Sequence, residues 1–167
     1  SIILDTANPS GVSIKINNDD QYTTSQSVNL KIGASDTYID QMAFSNDGST
    51  WSVWEAFSTD KPFSLTGPDG INTNTVYVKV KDKAGNEASG ASDSIILDRV
   101  EPISSVNKLL EKSAASFPLS WNGNDAVSGI MGFDVQYKKG SSGSWENIQT
   151  GVMTNTYQFE GASPGEI

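Results

Sequence analysis

Any acid–base or metal chemistry in this chain falls to carboxylates. Its 167 residues include no histidine and no cysteine. That removes Ser-His and Cys-His couples, thiolate nucleophiles, disulfides and His- or Cys-ligated zinc. What remains is 20 Asp and Glu against 11 Lys and Arg, a net charge of −9. Two carboxylates about 5–9 Å apart in a cleft could hydrolyse a glycosidic bond. A cluster of carboxylates and carbonyls could hold a hard cation such as Ca²⁺, which takes about six to eight oxygens. The acidity repels a phosphate backbone and argues against nucleic acid as a partner.

The acids sit in turn-like stretches: Asp19 and Asp20 in "NNDD", Asp47 in "SNDG", Asp69 in "GPDG", Asp82 in "DKAGN" and Asp125 in "NGND". Asp and Asn are favoured turn residues because their side chains bond nearby backbone. No stretch has the D-x-[DN]-x-[DN]-G spacing of a calcium loop. No acidic pair interrupts an apolar strand face, so no catalytic residue is assigned and the chain is read as a non-enzyme. The other groups of interest are Trp51 and Trp54 in "WSVW". Three apart on a strand, they point to opposite faces. One is expected in the core. The other, exposed among polar neighbours, could stack on a sugar ring.

Strands must position all of these. "VSIKI" sets Val12, Ile14 and Ile16 on one face, and "VNLKI" sets Val28, Leu30 and Ile32. "TVYVKVKD" turns Val76, Val78 and Val80 inward. "FPLSW", "MGFDVQY" and "TYQFE" repeat the pattern with Phe117, Leu119 and Trp121, then Met131, Phe133, Val135 and Tyr137, then Tyr157 and Phe159. Such period-two alternation marks half-buried antiparallel strands. Only "NKLLEKSAAS", 107–116, could form a turn or two of helix. No apolar run approaches the roughly 18 residues of a membrane span.

"SIILD" occurs twice, at Ser1–Asp5 and Ser94–Asp98. The repeat frames one module of about ninety residues, the size of a β-sandwich. Residues 1–5 then read as the closing strand of a preceding module. Residues 6–98 form the first sandwich, with strands near 11–17, 27–33, 40–45, 51–57, 61–66, 75–82 and 92–98. Residues 99–102 are a short linker. Residues 103–167 form a second sandwich, with strands near 103–107, 116–122, 130–138, 144–149 and 156–160, lacking its last two.

The stretches "INNDDQYTTSQSVNLKIGASD", "MAFSNDGSTWSVWEAF", "VYVKVKDKAGNEAS" and "SIILD" resemble the immunoglobulin-like repeats of large prokaryotic surface and secreted proteins. From Phe117 onward the chain resembles a fibronectin type III module, with Trp121 at that family's strand-B tryptophan and "SPGEI" at its turn into strand F. The fold class is therefore all-β, tandem immunoglobulin-like and fibronectin type III-like β-sandwiches with the second incomplete. The resemblance implies a spacer, adhesion or accessory module, extracellular or at the cell surface. Its partners would be neighbouring modules, and a surface glycan or protein ligand.

In such a sandwich Asp19, Asp20, Asp98 and Glu101 gather at the pole where the chain leaves, and Asp125 of the next module should face them. Turn chemistry is the simpler reading there; the alternative is a Ca²⁺ at the joint, with no other cofactor implied. "DKAGN" lies at the opposite pole with Asp5, Asp36 and Asp40, where Asp82 reads as a turn residue. Two further functions stay open. One is a carbohydrate-binding accessory module. The other is a filament subunit that self-associates by strand addition, residues 1–5 of one copy completing 103–167 of another.

Overall fold

The computed structural model describes residues 2–88, 90–109 and 115–160. The described residues form an all-β protein of two compact units, Ser1–Arg99 and Val100–Ile167. Unit 1 contains β1 (Ser10–Ile16), β2 (Tyr22–Thr23), β3 (Ser27–Ser35), β4 (Ile39–Ser45), β5 (Glu55–Ala56), β6 (Asp60–Ser64), β7 (Thr73–Asp82) and β8 (Ala91–Leu97). Unit 2 contains β9 (Ile103–Val106), β10 (Phe117–Asn124), β11 (Phe133–Tyr137), β12 (Glu146–Val152) and β13 (Thr156–Phe159).

Unit 1 is a sandwich of two sheets ordered β1-β3-β6 and β2-β8-β7-β4-β5. Alternation explains its core. Ile14 and Ile16 of β1, Val28, Leu30 and Ile32 of β3, and Val76, Val78 and Val80 of β7 are all buried, facing Met42, Phe44, Ile95 and Leu97. The outward residues of β7 keep their polar ends in water. Register follows from this burial, because a slip of one residue would turn every valine of β7 outward. One bond joins the strands that bracket the unit: the Ile16 N–H donates to Asp93 Oδ2 at 2.7 Å.

In unit 2 the sheets are β13-β10-β9 and β11-β12. Among the described residues its buried apolar ones are Phe117, Leu119, Trp121 and Val135. They are 4–9% exposed, whereas the centre of unit 1 reaches 0%. Phe117 stacks on Phe159 at 5.3 Å, and Trp121 meets Phe133 edge-on at 6.2 Å. Gly123 permits the second contact, since a Cβ there would lie 2.6 Å from the Phe133 ring.

Several expectations change. The strand expected over 51–57 shrinks to β5, because residues 51–54 carry no strand. Met131 is not a core residue; it is 97% exposed and β11 begins only at Phe133. The parallel pairing of β2 with β8, Tyr22 to Ile96 and Thr23 to Leu97, had no counterpart in the sequence reading. Ile2–Asp5 forms no strand in this chain. Of the helix considered for 107–116, residues 107–109 and 115–116 carry no helix and 110–114 lie outside the described residues, as does the "SPGEI" turn.

Leu30 is fully buried between the sheets. Leu30→Ala should destabilise unit 1 by about 2–5 kcal/mol, the cost of a large-to-small core change. Urea unfolding of the full chain, followed by tryptophan fluorescence, reads this as a shift of the unit 1 transition to lower urea.

Candidate functional site

β7 places an acid where its valines point. The alternation that buries Val76, Val78 and Val80 continues to Asp82, which is 1% exposed. The carboxylate meets the "DKAGN" turn, where Gly85 takes φ of 92°. Asn86 donates its backbone N–H to Asp82 Oδ1 at 2.9 Å and its Nδ2 to Oδ2 at 2.8 Å. Burial pushes the Asp82 carboxyl up. Bonds from the Asn86 side chain and from the backbone of Asn86, Gly85 and Ala84 outweigh that and hold it below its ordinary value of 3.8. Asp82 therefore stays ionised as the acceptor of a buried turn.

Two more carboxylates converge on it. Oxygens of Asp5, Asp36 and Asp82 all lie within 4.8 Å of one another. Each already serves its own turn: Asp5 Oδ1 accepts from the Ala7 N–H at 3.1 Å, and Asp36 Oδ1 from the Tyr38 N–H at 2.6 Å. Asn86 ties the segments together by donating Nδ2 to the Asp5 carbonyl at 3.2 Å. The trio could contribute carboxylate oxygens to a hard cation. The bonds present are those of turn caps.

Of the acids expected at the joint, the carboxylates of Asp19 and Asp125 bond within their own units. Asp19 ends a run of three non-glycine residues with positive φ, Asn17, Asn18 and Asp19, and pairs with Lys15 at 2.9 Å. Asn and Asp tolerate that region best among residues with a Cβ, which explains "NNDD" on backbone grounds. Asp20 and Glu101 are exposed. Asp98 is buried, and its N–H donates to the Thr23 carbonyl at 2.8 Å. Asp125 accepts the N–H groups of Val127, Ser128 and Gly129 at 2.9–3.0 Å, which lowers its pKa. Asp47 behaves alike: the Thr50 and Ser49 N–H groups and the Ser45 hydroxyl hold its carboxyl far below the usual range. Asp69 takes a two-pronged bond from Arg99, at 2.7–2.9 Å.

Trp51 and Trp54 do not point to opposite faces. Off the strand, period two no longer applies, and both rings share one cation. Lys79 Nζ stands 5.0 Å from the Trp51 centroid and 4.7 Å from that of Trp54; Lys81 Nζ lies 4.4 Å from Trp54. Both rings are half-buried. Ala43, the cross-strand partner of Lys79, is fully buried on the face of β4 away from the core. A small residue there leaves room for the ladder to lie on the sheet. The spacing of Lys79 and Lys81 on β7 was the available sequence signal, since both point outward by alternation.

Asp82→Ala should lower the melting midpoint of unit 1 by several degrees, because it strips the partners of a buried turn. Asn86→Ala on that background should add little, since the two act as one unit. The sign with pH is fixed. The folded Asp82 carboxyl titrates below 3.8 and the unfolded one near it, so this stabilisation is complete above that value and fades as pH falls beneath it. Thermal melts across the acid range, wild type beside Asp82→Ala, check both statements: the gap between them narrows on acidification.

No protein-family model matches the chain, and no curated protein matches it. Among solved structures it is similar to the fibronectin(III)-like modules of CbhA from Clostridium thermocellum, at 11% identity and a TM-score of 0.48, over 90% of this chain and 80% of that one. It is also similar to the FN1–FN3 domains of chicken CNTN1, at 15% identity and a TM-score of 0.42, over 95% of this chain and 58% of that one.

Proposed function

We propose that this chain is a non-catalytic structural or adhesion segment of a large prokaryotic surface or secreted protein. Its two sandwich units work as spacers that hold or present other parts. The observation that carries this reading is the state of the carboxylates. Asp47, Asp60, Asp82 and Asp125, the acids with a resolved shift, are all lowered. Each is bound to backbone N–H groups or, for Asp60, to the Lys31 ammonium. A glycosidase needs one carboxyl with a raised pKa as its acid. These acids are tuned the other way, Asp47, Asp82 and Asp125 as acceptors in turns and Asp60 as the partner of Lys31. The resemblance of the sequence to surface-protein repeats supplies the extracellular setting, and the absence of histidine and cysteine removes the commonest nucleophile pairs.

A carbohydrate-binding role would use Trp51 and Trp54. Lysine ammonium groups stand over both rings, so those ring surfaces are engaged within the protein. The spacer reading therefore takes precedence, with neighbouring modules as its partners.

A glycan array probed with the full chain should give no saturable binding, and a panel of polysaccharides should not be hydrolysed. Brief protease treatment of intact cells making the parent protein should release peptides of this chain. Glycan binding that disappears in Trp54→Ala would move the assignment to the carbohydrate-binding class.

A further inference from the structure

The chain enters and leaves unit 1 along neighbouring, parallel tracks. β1 ends at Ile16, whose N–H donates to Asp93 Oδ2 of β8 at 2.7 Å. Farther on, the Ile96 N–H donates to the Gln21 carbonyl at 3.0 Å and the Asp98 N–H to the Thr23 carbonyl at 2.8 Å. Tyr22 and Thr23 thereby pair in parallel with Ile96 and Leu97. The bonded positions advance together, so the run from the end of β1 into β2 lies parallel to β8. Entry and exit then fall at opposite poles. Asn86, just past the end of β7, donates Nδ2 to the Asp5 carbonyl at 3.2 Å, whereas Thr73 at the start of β7 pairs with Ile96.

The "NNDD" stretch makes this run possible. β1 belongs to one sheet and β2 to the other. Asn17, Asn18 and Asp19, with φ of 46°, 61° and 79°, turn the chain across. The turn is braced on β3: the Asn17 N–H donates to the Asn29 carbonyl, and Asn17 Oδ1 accepts the Asn29 N–H, both at 2.9 Å. At the exit, the Gly70 N–H donates to the Leu97 carbonyl at 2.9 Å and Arg99 grips Asp69.

Parallel neighbours pulled from opposite poles slide past one another. Hydrogen bonds lie across the strands, so in that sliding they carry the load together. Antiparallel neighbours pulled apart from one pole open a bond at a time. β7 and β8 are such a pair at their Thr73 and Ile96 ends. Asp93 contributes a charged acceptor, which holds an N–H more strongly than a neutral carbonyl does.

We propose that residues 16–23 against residues 93–98 form a shear clamp that bears end-to-end tension on unit 1, with the Asp93 carboxylate as its side-chain link. The spacer reading supplies the load, and the clamp rests on it for that reason alone. Forced unfolding is governed by the unfolding rate rather than by equilibrium stability, so the clamp makes resistance depend on direction.

Pulling the full chain in an optical trap tests this. The chain has no cysteine, so handles attach at introduced thiols. Thr6→Cys with Glu101→Cys loads unit 1 from pole to pole. Asn72→Cys with Glu101→Cys loads the adjoining ends of β7 and β8. All three positions are exposed. The expected rupture force is several-fold higher in the first geometry. Asp93→Ala, its fold checked by urea unfolding, should lower the pole-to-pole force and leave the other nearly as it was. Asp93→Asn, which keeps an acceptor, should fall between. Equal forces in the two geometries overturn the clamp without recourse to any Asp93 variant. So does a pole-to-pole force that Asp93→Ala leaves unchanged. Neither result touches the spacer reading, which saturable glycan binding would overturn while the clamp stood.

Discussion

An antiparallel sheet with one apolar face persists in water only when that face is covered. In unit 1 the cover is complete. Two sheets close on each other, and Ile16, Leu30, Val76, Val78, Val80 and Leu97 lose all contact with solvent. Burial on that scale, at roughly 25 cal/mol per Å² of apolar surface, is what fixes register and strand order. The bond from Ile16 to Asp93 then holds β1 against the opposite sheet. Unit 2 meets the same constraint with fewer strands. Its core is assembled from aromatic rings, Phe117 on Phe159 and Trp121 on Phe133. Large rings cover much area per residue, but the Trp121 donor has no partner among the described residues.

With no disulfide to staple the loops, charge-assisted bonds to backbone do that work. Asp47, Asp82 and Asp125 each gather two or more backbone N–H groups of their own turn. Asp69 and Arg99 fasten the end of unit 1 to an earlier loop. Bonds to an ionised acceptor are shorter and stronger than neutral ones. Asp47, Asp82 and Asp125 are thus ionised acceptors that tie down their own turns. The lysine ladder over Trp51 and Trp54 fits the same account, as it secures the outer face of β4 and β7.

The core was legible from sequence because it obeys period two. Every inward residue named for β1, β3, β7 and β10 is buried or partly so. The same rule, carried one step further along "TVYVKVKD", puts Asp82 inside, which a reading of it as a turn residue alone passes over. Other features depend on tertiary contact and leave no periodic trace. β2 spans two residues, too short to alternate, and exists because β8 lies beside it. Asp5 and Asp82 are far apart in the chain, and only the folded turn unites them with Asp36. Trp51 and Trp54 were misplaced because a strand was assumed where the chain loops. Met131 followed the alternation on paper, but the strand that would have turned it inward starts two residues later.

The duplicated pentapeptide separates propensity from context. Ile, Ile and Leu favour a pleated, half-buried surface, and at 95–97 they find one. There β7 supplies the antiparallel partner and β2 the parallel one, and the core receives Ile95 and Leu97. At 2–4 the same residues are exposed and form no strand in this structure. Since the letters are identical, the difference in state is owed wholly to the neighbours. A β-strand here is a property of the site that receives it as much as of the segment that enters. The repeated sequence marks the segment. The receiving site has to be sought in the fold, as β7 and the core of unit 1 receive Ile95 and Leu97.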